Sequence, residues 1–361
     1  MEAALAQALA WLLAAQRPDG SYGGGGNMLL HEYWANAEAH RSWQLATTGL
    51  TLEALLRHGG EADATRTAAG RALDWIVRHH DLHRCDDWDI DNVWGLLYGT
   101  EALAAAAAHP WFARGPRRTA IDAALRHLLA RIAAYQSPNG GFGYYAEQID
   151  AWRPQWATSF TTAAMVLAID QARAVGGEYP ASALAAARRA VARCRLPDGA
   201  MTYDVMALPA HDNVVDGINA VRGSLGRIAV CDLALLGARG GTGEPRPPDT
   251  ATLVRGVDLF FRHHAYLDVA RLRPTPHEAY HWNSGYFWCF GHFYVGELLP
   301  RLPPAERRDA AGKLAFEVMK AQERDGSVWD YWFADNTRAY GTAYAAMALG
   351  RARDALAAAA E

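Results

Sequence analysis

The chain reads as an all-α protein, an (α/α)6 toroid in which six helical hairpins close into a double ring. Three observations predict this. A distinctive turn recurs where probable helices end. The helical segments alternate between two compositional types. The length, 361 residues, exceeds what one ordinary core takes, and a closed ring of repeats accommodates it as one domain spanning 1–361.

The recurring turn is Gln16-Arg17-Pro18-Asp19-Gly20-Ser21-Tyr22, then Gln136-Ser137-Pro138-Asn139-Gly140-Gly141-Phe142, then Gln322-Glu323-Arg324-Asp325-Gly326-Ser327-Val328-Trp329. Gln, three residues, Gly, one residue and usually an aromatic form the shared pattern. A fourth copy, Arg195-Leu196-Pro197-Asp198-Gly199-Ala200-Met201, keeps the turn without the Gln. Gly after Asp or Asn supplies a positive φ just past a helix end. The Gln amide is placed to bond loop backbone. One copy would read as an ordinary helix stop; three full copies and a degenerate fourth read as a repeat.

In chain order the hairpins are expected near Ala3–Ala15 with Ser42–Arg57, Thr65–His80 with Asp91–Ala108, and Pro116–Tyr135 with Ala157–Ala172. Then come Ala181–Arg195 with Asp216–Ala238, Thr250–His264 with Asn283–Leu302, and Pro304–Ala321 with Thr337–Ala355. The first helix of each pair is rich in Ala and Arg, with charges at helical spacing, as befits an outer ring with one solvated face. The second helices share small residues and Thr, as in Ala46-Thr47-Thr48-Gly49, Thr161-Thr162-Ala163-Ala164 and Gly341-Thr342-Ala343. Such residues let backbones approach closely, which suits an inner ring. The linker-like stretch Gly240–Pro248 separates the fourth and fifth units.

Bulk properties narrow the function. A composition 51% hydrophobic and 20% charged belongs to a folded protein rather than a disordered one. A net charge of −4 and a pI near 6.4 argue against a basic nucleic-acid surface. Cys85, Cys194, Cys231 and Cys289 are scattered without a CxxC pair, as expected of a reduced, cytoplasmic protein. Met1-Glu2-Ala3-Ala4-Leu5-Ala6 lacks a basic segment and reads as the first helix, not a signal peptide. No apolar run is long enough to span a membrane, and nothing indicates a membrane contact, although the sequence is compatible with one. Thirteen Trp and fifteen Tyr suggest a lined cavity.

In such a ring the N-terminal ends of the inner helices converge on one mouth, capped by the loops that precede them. Those loops carry His31-Glu32-Tyr33-Trp34, Asp86-Asp87-Trp88-Asp89, Trp152 and Trp156, His211-Asp212, His277 to Trp282, and Trp329 to Asp335.

The Gln-Gly-aromatic turn and Tyr340-Gly341-Thr342-Ala343-Tyr344-Ala345-Ala346-Met347-Ala348-Leu349 resemble the QW-type repeat of squalene and oxidosqualene cyclases. Their wider superfamily holds terpene cyclases and the β-subunits of protein prenyltransferases. The resemblance implies the toroid over most of the chain. Those cyclases carry two toroids, so this chain would be a single-toroid member. Class II cyclases protonate an alkene or epoxide with an acid in an Asp-x-Asp-Asp motif heading an inner helix. Asp89-Ile90-Asp91-Asn92 occupies that place, so the resemblance implies Asp91 as proton donor with Asp89 and Asn92 as its partners. Clustered carboxyls cannot all ionise, so one keeps a transferable proton; Asn in the last position lessens the repulsion that holds it. Helix capping is the competing account of Asp89 and Asp91. The neighbouring Asp86 and Asp87 exceed what a cap needs. The prenyltransferase zinc set has no counterpart in Asn283-Ser284-Gly285 or at Gly341, so neither metal nor cofactor is expected.

Other clusters leave alternatives open. Cys289 and His292, three apart, suit half a metal site, a nucleophile with its base, or a buried thiol beside a packed His. His79-His80-Asp81-Leu82-His83 with Cys85 suits a metal or a helix end bonding its last carbonyls. Arg222 and Arg227, expected on the fourth inner helix, require partners among Asp91, Asp216 or an anionic substrate.

The expected activity is proton-initiated cyclisation or isomerisation of a hydrophobic isoprenoid. Trp34, Trp43, Trp88, Trp94, Trp156, Tyr286 and Trp288 are expected to line the cavity, with Asp87, Arg222 and Asp330 as further substrate contacts. Aromatic faces stabilise a carbocation but also stack on sugars. The alternatives are an (α/α)6 glycoside hydrolase or polysaccharide lyase using Asp87 and Asp330, and a non-catalytic binding ring.

Overall fold

The computed structural model describes residues 1–23, 37–83, 92–144, 154–205, 217–238, 240, 243–273, 277–331 and 336–358. These contain thirteen α-helices and no β-strand, only isolated bridges. Six helices form the inner ring: α2 (Ala37–His58), α4 (Asn92–Ala108), α6 (Ser159–Ala174), α8 (Leu225–Leu236), α11 (Phe287–Leu298) and α13 (Asn336–Ala357). The outer ring is α1 (Glu2–Ala14), α3 (Asp63–His79), α5 (Pro116–Tyr135), α7 (Ala181–Arg193), α9 (Thr250–Arg262) and α12 (Pro304–Ala321), with the short α10 (Ala265–Arg271) beside α11. Each inner helix packs on the next, and α13 returns to α2, so the ring is closed.

Small residues make that packing possible. A Cβ on Gly49 of α2 would lie 2.5 Å from the Tyr98 carbonyl oxygen of α4, so these two backbones touch. The buried residues of α6 include Ser159, Thr161, Thr162, Ala163, Ala164 and Ala168, small side chains that sit among the larger Phe160, Met165, Val166 and Ile169.

The recurring turn acts as a joint between units. Gln16 Nε2 donates to Gly20 O (3.1 Å) and to Ala68 O of α3 (2.8 Å). Gln136 Nε2 repeats this with Gly140 O (2.6 Å) and Ala183 O of α7 (2.9 Å). Gln322 Nε2 donates to Gly326 O (2.9 Å) and Ala4 O of α1 (2.9 Å), which ties the last unit to the first. Behind each turn a Thr of the inner helix receives the chain. Thr48, Thr162 and Thr342 accept from the amides of Tyr22 (3.0 Å), Phe142 (2.9 Å) and Val328 (2.9 Å). The turn glycine has no substitute: Gly326 has φ +91°, and a Cβ there would sit 2.6 Å from Gln7 O.

Two inner helices start later than the sequence predicts. Before α8 the chain makes two 3-10 turns, Gly217–Asn219 and Val221–Gly223, held off the helix where Asn219 Oδ1 accepts from the Tyr203 amide (2.8 Å). Before α11 the Glu278 carboxylate accepts from the amides of Tyr280 (2.6 Å), His281 (2.6 Å) and Asn283 (3.1 Å), winding a tight loop instead of a helical turn. Helix α10 is unpredicted. It is docked by Arg271, whose Nε donates to Trp329 O (2.7 Å) and whose guanidinium lies 4.1 Å from the Trp329 ring centroid.

The C-terminal ends of the inner helices are plugged by charge. Glu297 accepts from Arg57 (2.7 Å) and, with both oxygens, from Arg351 (2.9 Å each), while Arg57 also pairs with Glu53. Buried Glu101 lies beside this network, and its carboxyl is pushed well above the usual range by burial and then by Glu53.

Candidate functional site

The other end of the ring encloses a cavity. One face of each inner helix except α8 reaches it: Trp43, Ala46, Thr47 and Leu50 of α2, Trp94 and Tyr98 of α4, Phe160 of α6, Phe287 and Phe290 of α11, and Tyr340 and Tyr344 of α13. The spacings of three, four and seven put these side chains on one helical stripe. Tyr144, Tyr203, His277, Ser284 and Tyr286 complete the wall. The cavity between them has a volume of about 140 Å³ and is partly open to solvent. Among the described residues the wall holds no Asp, Glu, Lys or Arg side chain.

The aromatic rings form a continuous lining. Trp94 lies 5.9 Å from Trp43, 6.1 Å from Phe160 and 6.2 Å from Tyr98, ring centre to ring centre. Phe160 continues the chain to Phe287 (5.0 Å) and Tyr203 (5.4 Å). Such an arrangement presents π faces to whatever is enclosed and can stabilise a cation without supplying a nucleophilic anion. Tyr344 Oη donates to Tyr98 Oη, and burial followed by the Glu101 charge pushes the Tyr98 phenol far above its ordinary range.

Behind the wall stands a buried carboxyl group. Asp330 is fully buried, and Tyr340 Oη, on the cavity lining, donates to its Oδ1 at 2.8 Å. Its other oxygen has no hydrogen-bond partner, and the Cys289 amide and thiol lie close to the carboxyl. Burial raises the Asp330 pKa to about 7, against the lowering influence of Tyr340, Arg271 and Cys289. Tyr340 therefore couples the cavity to a buried proton carrier.

The expected site residues divide three ways. Trp43, Trp94 and Tyr286 line the cavity. Trp156 stands edge-on to the lining Tyr144 at 5.2 Å, one layer back, and Asp330 lies behind Tyr340 rather than open at the mouth. Trp288 is not on the wall: its indole donates to Asp268 Oδ1 (2.9 Å), and its ring packs on His292 and under Arg271. Arg222 is exposed in the second 3-10 turn, not on an inner helix, and lies over the Tyr266 ring at 5.2 Å. Arg227 is on α8 but takes neither an acid nor a ligand as hydrogen-bond partner. Its guanidinium donates to the carbonyls of Gly223 (2.9 Å), Met201 (3.0 Å) and Ile218, and burial lowers its pKa to about 10. Asp89, Asp91, Asp87, Trp88 and Trp34 lie outside the described residues, as does the Asn92 side chain. Cys289 faces Asp330 while His292 faces His264, so they form no common pair. His80 Nδ1 bonds Val77 O (2.8 Å), the helix-end role, and Cys85 lies outside the described residues.

Sequence reasoning does not pick out Tyr98, Phe160, Phe290, Tyr340 or Tyr344 as lining residues. The signal was present in the aromatic pairs Trp94/Tyr98 and Tyr340/Tyr344, each four apart on helices assigned to the inner ring.

Solved structures share this architecture. A type II terpene cyclase, MstE from Scytonema, is similar with a TM-score of 0.55 and 17% identity, covering 98% of each chain. An aspartate-to-asparagine variant of it in complex with its substrate geranylgeranyl dihydroxybenzoate is similar at TM-score 0.55 and 16% identity, covering 98% of this chain and 97% of that one. The α-1,6-mannanase GH76A of Salegentibacter sp. HEL1_6 is similar at TM-score 0.55 and 12% identity, covering 96% of this chain and 98% of that one. The fold is that of the (α/α)6 toroids. At these identities the likeness extends to the fold alone, which hosts both chemistries. No family model matches the chain, and neither does any curated protein.

Proposed function

We propose that this toroid is a proton-initiated cyclase or isomerase of a hydrophobic isoprenoid. The observation that carries the reading is the cavity wall: a continuous aromatic lining in which the described residues place no charged side chain. A polyprene has no polar groups to satisfy and reacts through carbocations, which aromatic faces stabilise. The geranylgeranyl substrate of the Scytonema cyclase is consistent with such a ligand in this architecture.

In this reading Asp91, the residue directly before α4, protonates the terminal alkene, with Asp89 and Asn92 orienting it. Trp43, Trp94 and Phe160 hold the cation. The reaction ends when a C–H bond next to the cationic carbon breaks and its electron pair becomes the new alkene. That proton passes to Tyr340 Oη as the phenol's own proton moves to the Asp330 carboxylate. One proton enters and one leaves, so the product is an isomer of the substrate. A phenol backed by a carboxyl of pKa about 7 is too weak an acid to protonate an alkene, which is why the dyad takes the accepting role.

The glycoside hydrolase reading retains the mannanase fold likeness, but it needs two carboxylates beside the bond to be cleaved. Asp330 is sealed behind Tyr340. Incubation with geranylgeranyl-bearing aromatics, squalene and α-1,6-manno-oligosaccharides, analysed by mass spectrometry, tests the choice. A cyclised product of unchanged mass from a polyprene is expected. Sugar release with every polyprene untouched would transfer the site to the second chemistry.

A further inference from the structure

On the side of α11 that meets the outer helices, two histidines and two acids converge between α10, α11 and α12. His292 Nδ1 contacts Trp288 O at 2.6 Å, and a carbonyl only accepts, so the proton of His292 is on Nδ1. Its Nε2 lies 2.9 Å from His264 Nε2, and a second proton on the fully buried His292 would make a buried cation there. His264 therefore donates from Nε2. The Nδ1 of His264 faces Asp268 Oδ2 (3.5 Å) and Glu317 Oε2 (3.7 Å), and it offers them a lone pair whenever the ring is neutral. Three possible ligand atoms face one another here, and the Lys320 ammonium is the cation that now sits beside two of them.

The two separations from His264 Nδ1 also suit a metal ion. They are long for a charge-assisted hydrogen bond, which spans roughly 2.7–2.9 Å. They are close to the edge of a tetrahedron with ligand bonds near 2.1 Å, roughly 3.4 Å, as in zinc sites. All three ligand atoms lie within 4.8 Å of one another. The orientation is also built. Trp288 Nε1 donates to Asp268 Oδ1 at 2.9 Å, leaving Oδ2 for the cluster, and His292 fixes the His264 ring from behind. Glu317 also lines a surface groove with Phe261, Arg262 and Lys313, which gives an ion a route in. The half-exposed Lys320 ammonium now bridges Asp268 Oδ2 (3.0 Å) and Glu317 Oε2 (2.7 Å) and would have to swing out to solvent.

We infer that His264, Asp268 and Glu317 form a binding site for a divalent transition metal of the zinc type, which clasps α10 to α12. Lys320 competes for it, and His292 sets the tautomer of the ligating ring. The site stands apart from the proposed chemistry.

The test is titration of chelator-stripped full-length protein with Zn²⁺ by calorimetry, and with Co²⁺ by visible absorption. Wild type is expected to bind one equivalent, with the intense d–d bands of low-coordinate cobalt and a raised melting temperature. Glu317→Gln should weaken binding by about tenfold or more. Lys320→Ala should tighten it by a similar factor, an effect that a plain ion-pair network does not predict. Circular dichroism confirms that both variants fold, since both changes are near the surface. Absence of stoichiometric binding in wild type overturns the inference. So does binding that neither substitution alters, which would be adventitious capture by other histidines.

Discussion

At the residue scale the proposal rests on two protons at different places. Asp91→Asn should abolish polyprene turnover while the melting temperature stays within about 2 °C of wild type; retained turnover would remove Asp91 as the acid. Tyr340→Phe and Asp330→Asn should instead leave substrate consumption measurable and redirect the ending, giving other alkene isomers or water-captured alcohols by mass spectrometry. Unchanged product ratios in both would remove the dyad. Asp330 also predicts a pH effect of definite sign. Its folded pKa of about 7 lies above the ordinary 3.8, so the native state holds more protons than the unfolded state between those values. The contribution is therefore fully present below about pH 4, falls as pH rises toward 7 and levels off above it. Denaturant titrations of wild type and Asp330→Asn across pH 4–8 should show that this part of the slope is missing in the variant.

At the level of the helical element, the turn explains both the stability and the legibility of the fold. Each repeated Gln satisfies two backbone carbonyls, one in its own turn and one on a helix of the next unit, and Gln322 does so across the ring closure. Gln322→Ala should cost about 1–3 kcal/mol by chemical denaturation, the price of leaving buried acceptors unmet. A change under 0.5 kcal/mol would mean that water replaces the amide. The repeat was readable because its chemistry is local: turn residues, a positive φ and an amide at fixed spacing. The starts of α8 and α11 were not readable, because Asn219 and Glu278 act through backbone partners 16 and up to five residues away that no periodic pattern announces. Trp43, Trp94 and Tyr286 were legible as lining residues, while Trp288 was not distinguishable from them. Its orientation is decided by Asp268 and Arg271 on α10, a helix that the sequence pattern does not reveal.

Across the whole molecule, the ring separates two environments: an aromatic cavity at one end and a charged plug at the other. The plug gathers its charges from α2, α4, α11 and α13, so it fastens four inner helices at once. Removing the central anion with Glu297→Gln leaves Arg57 and Arg351 underpaired and should destabilise the fold by about 3 kcal/mol. Thermal unfolding followed by circular dichroism would measure it, and an unchanged midpoint would mean that the plug is dispensable. The double ring itself was legible from alternating helix composition and length. The plug was not, because no spacing pattern announces that Glu53, Arg57 and Glu101 meet partners from other helices when the ring closes.

The central claim is that the cavity converts a polyprene by adding a proton. The most direct measurement is turnover of a geranylgeranyl-bearing substrate in D₂O, with the product examined by mass spectrometry and deuterium NMR. The account predicts a cyclised product carrying one solvent deuterium on the former CH carbon of the terminal alkene, formed by wild type and absent with Asp91→Asn. A cyclised product without deuterium, or no conversion of any polyprene, would contradict it.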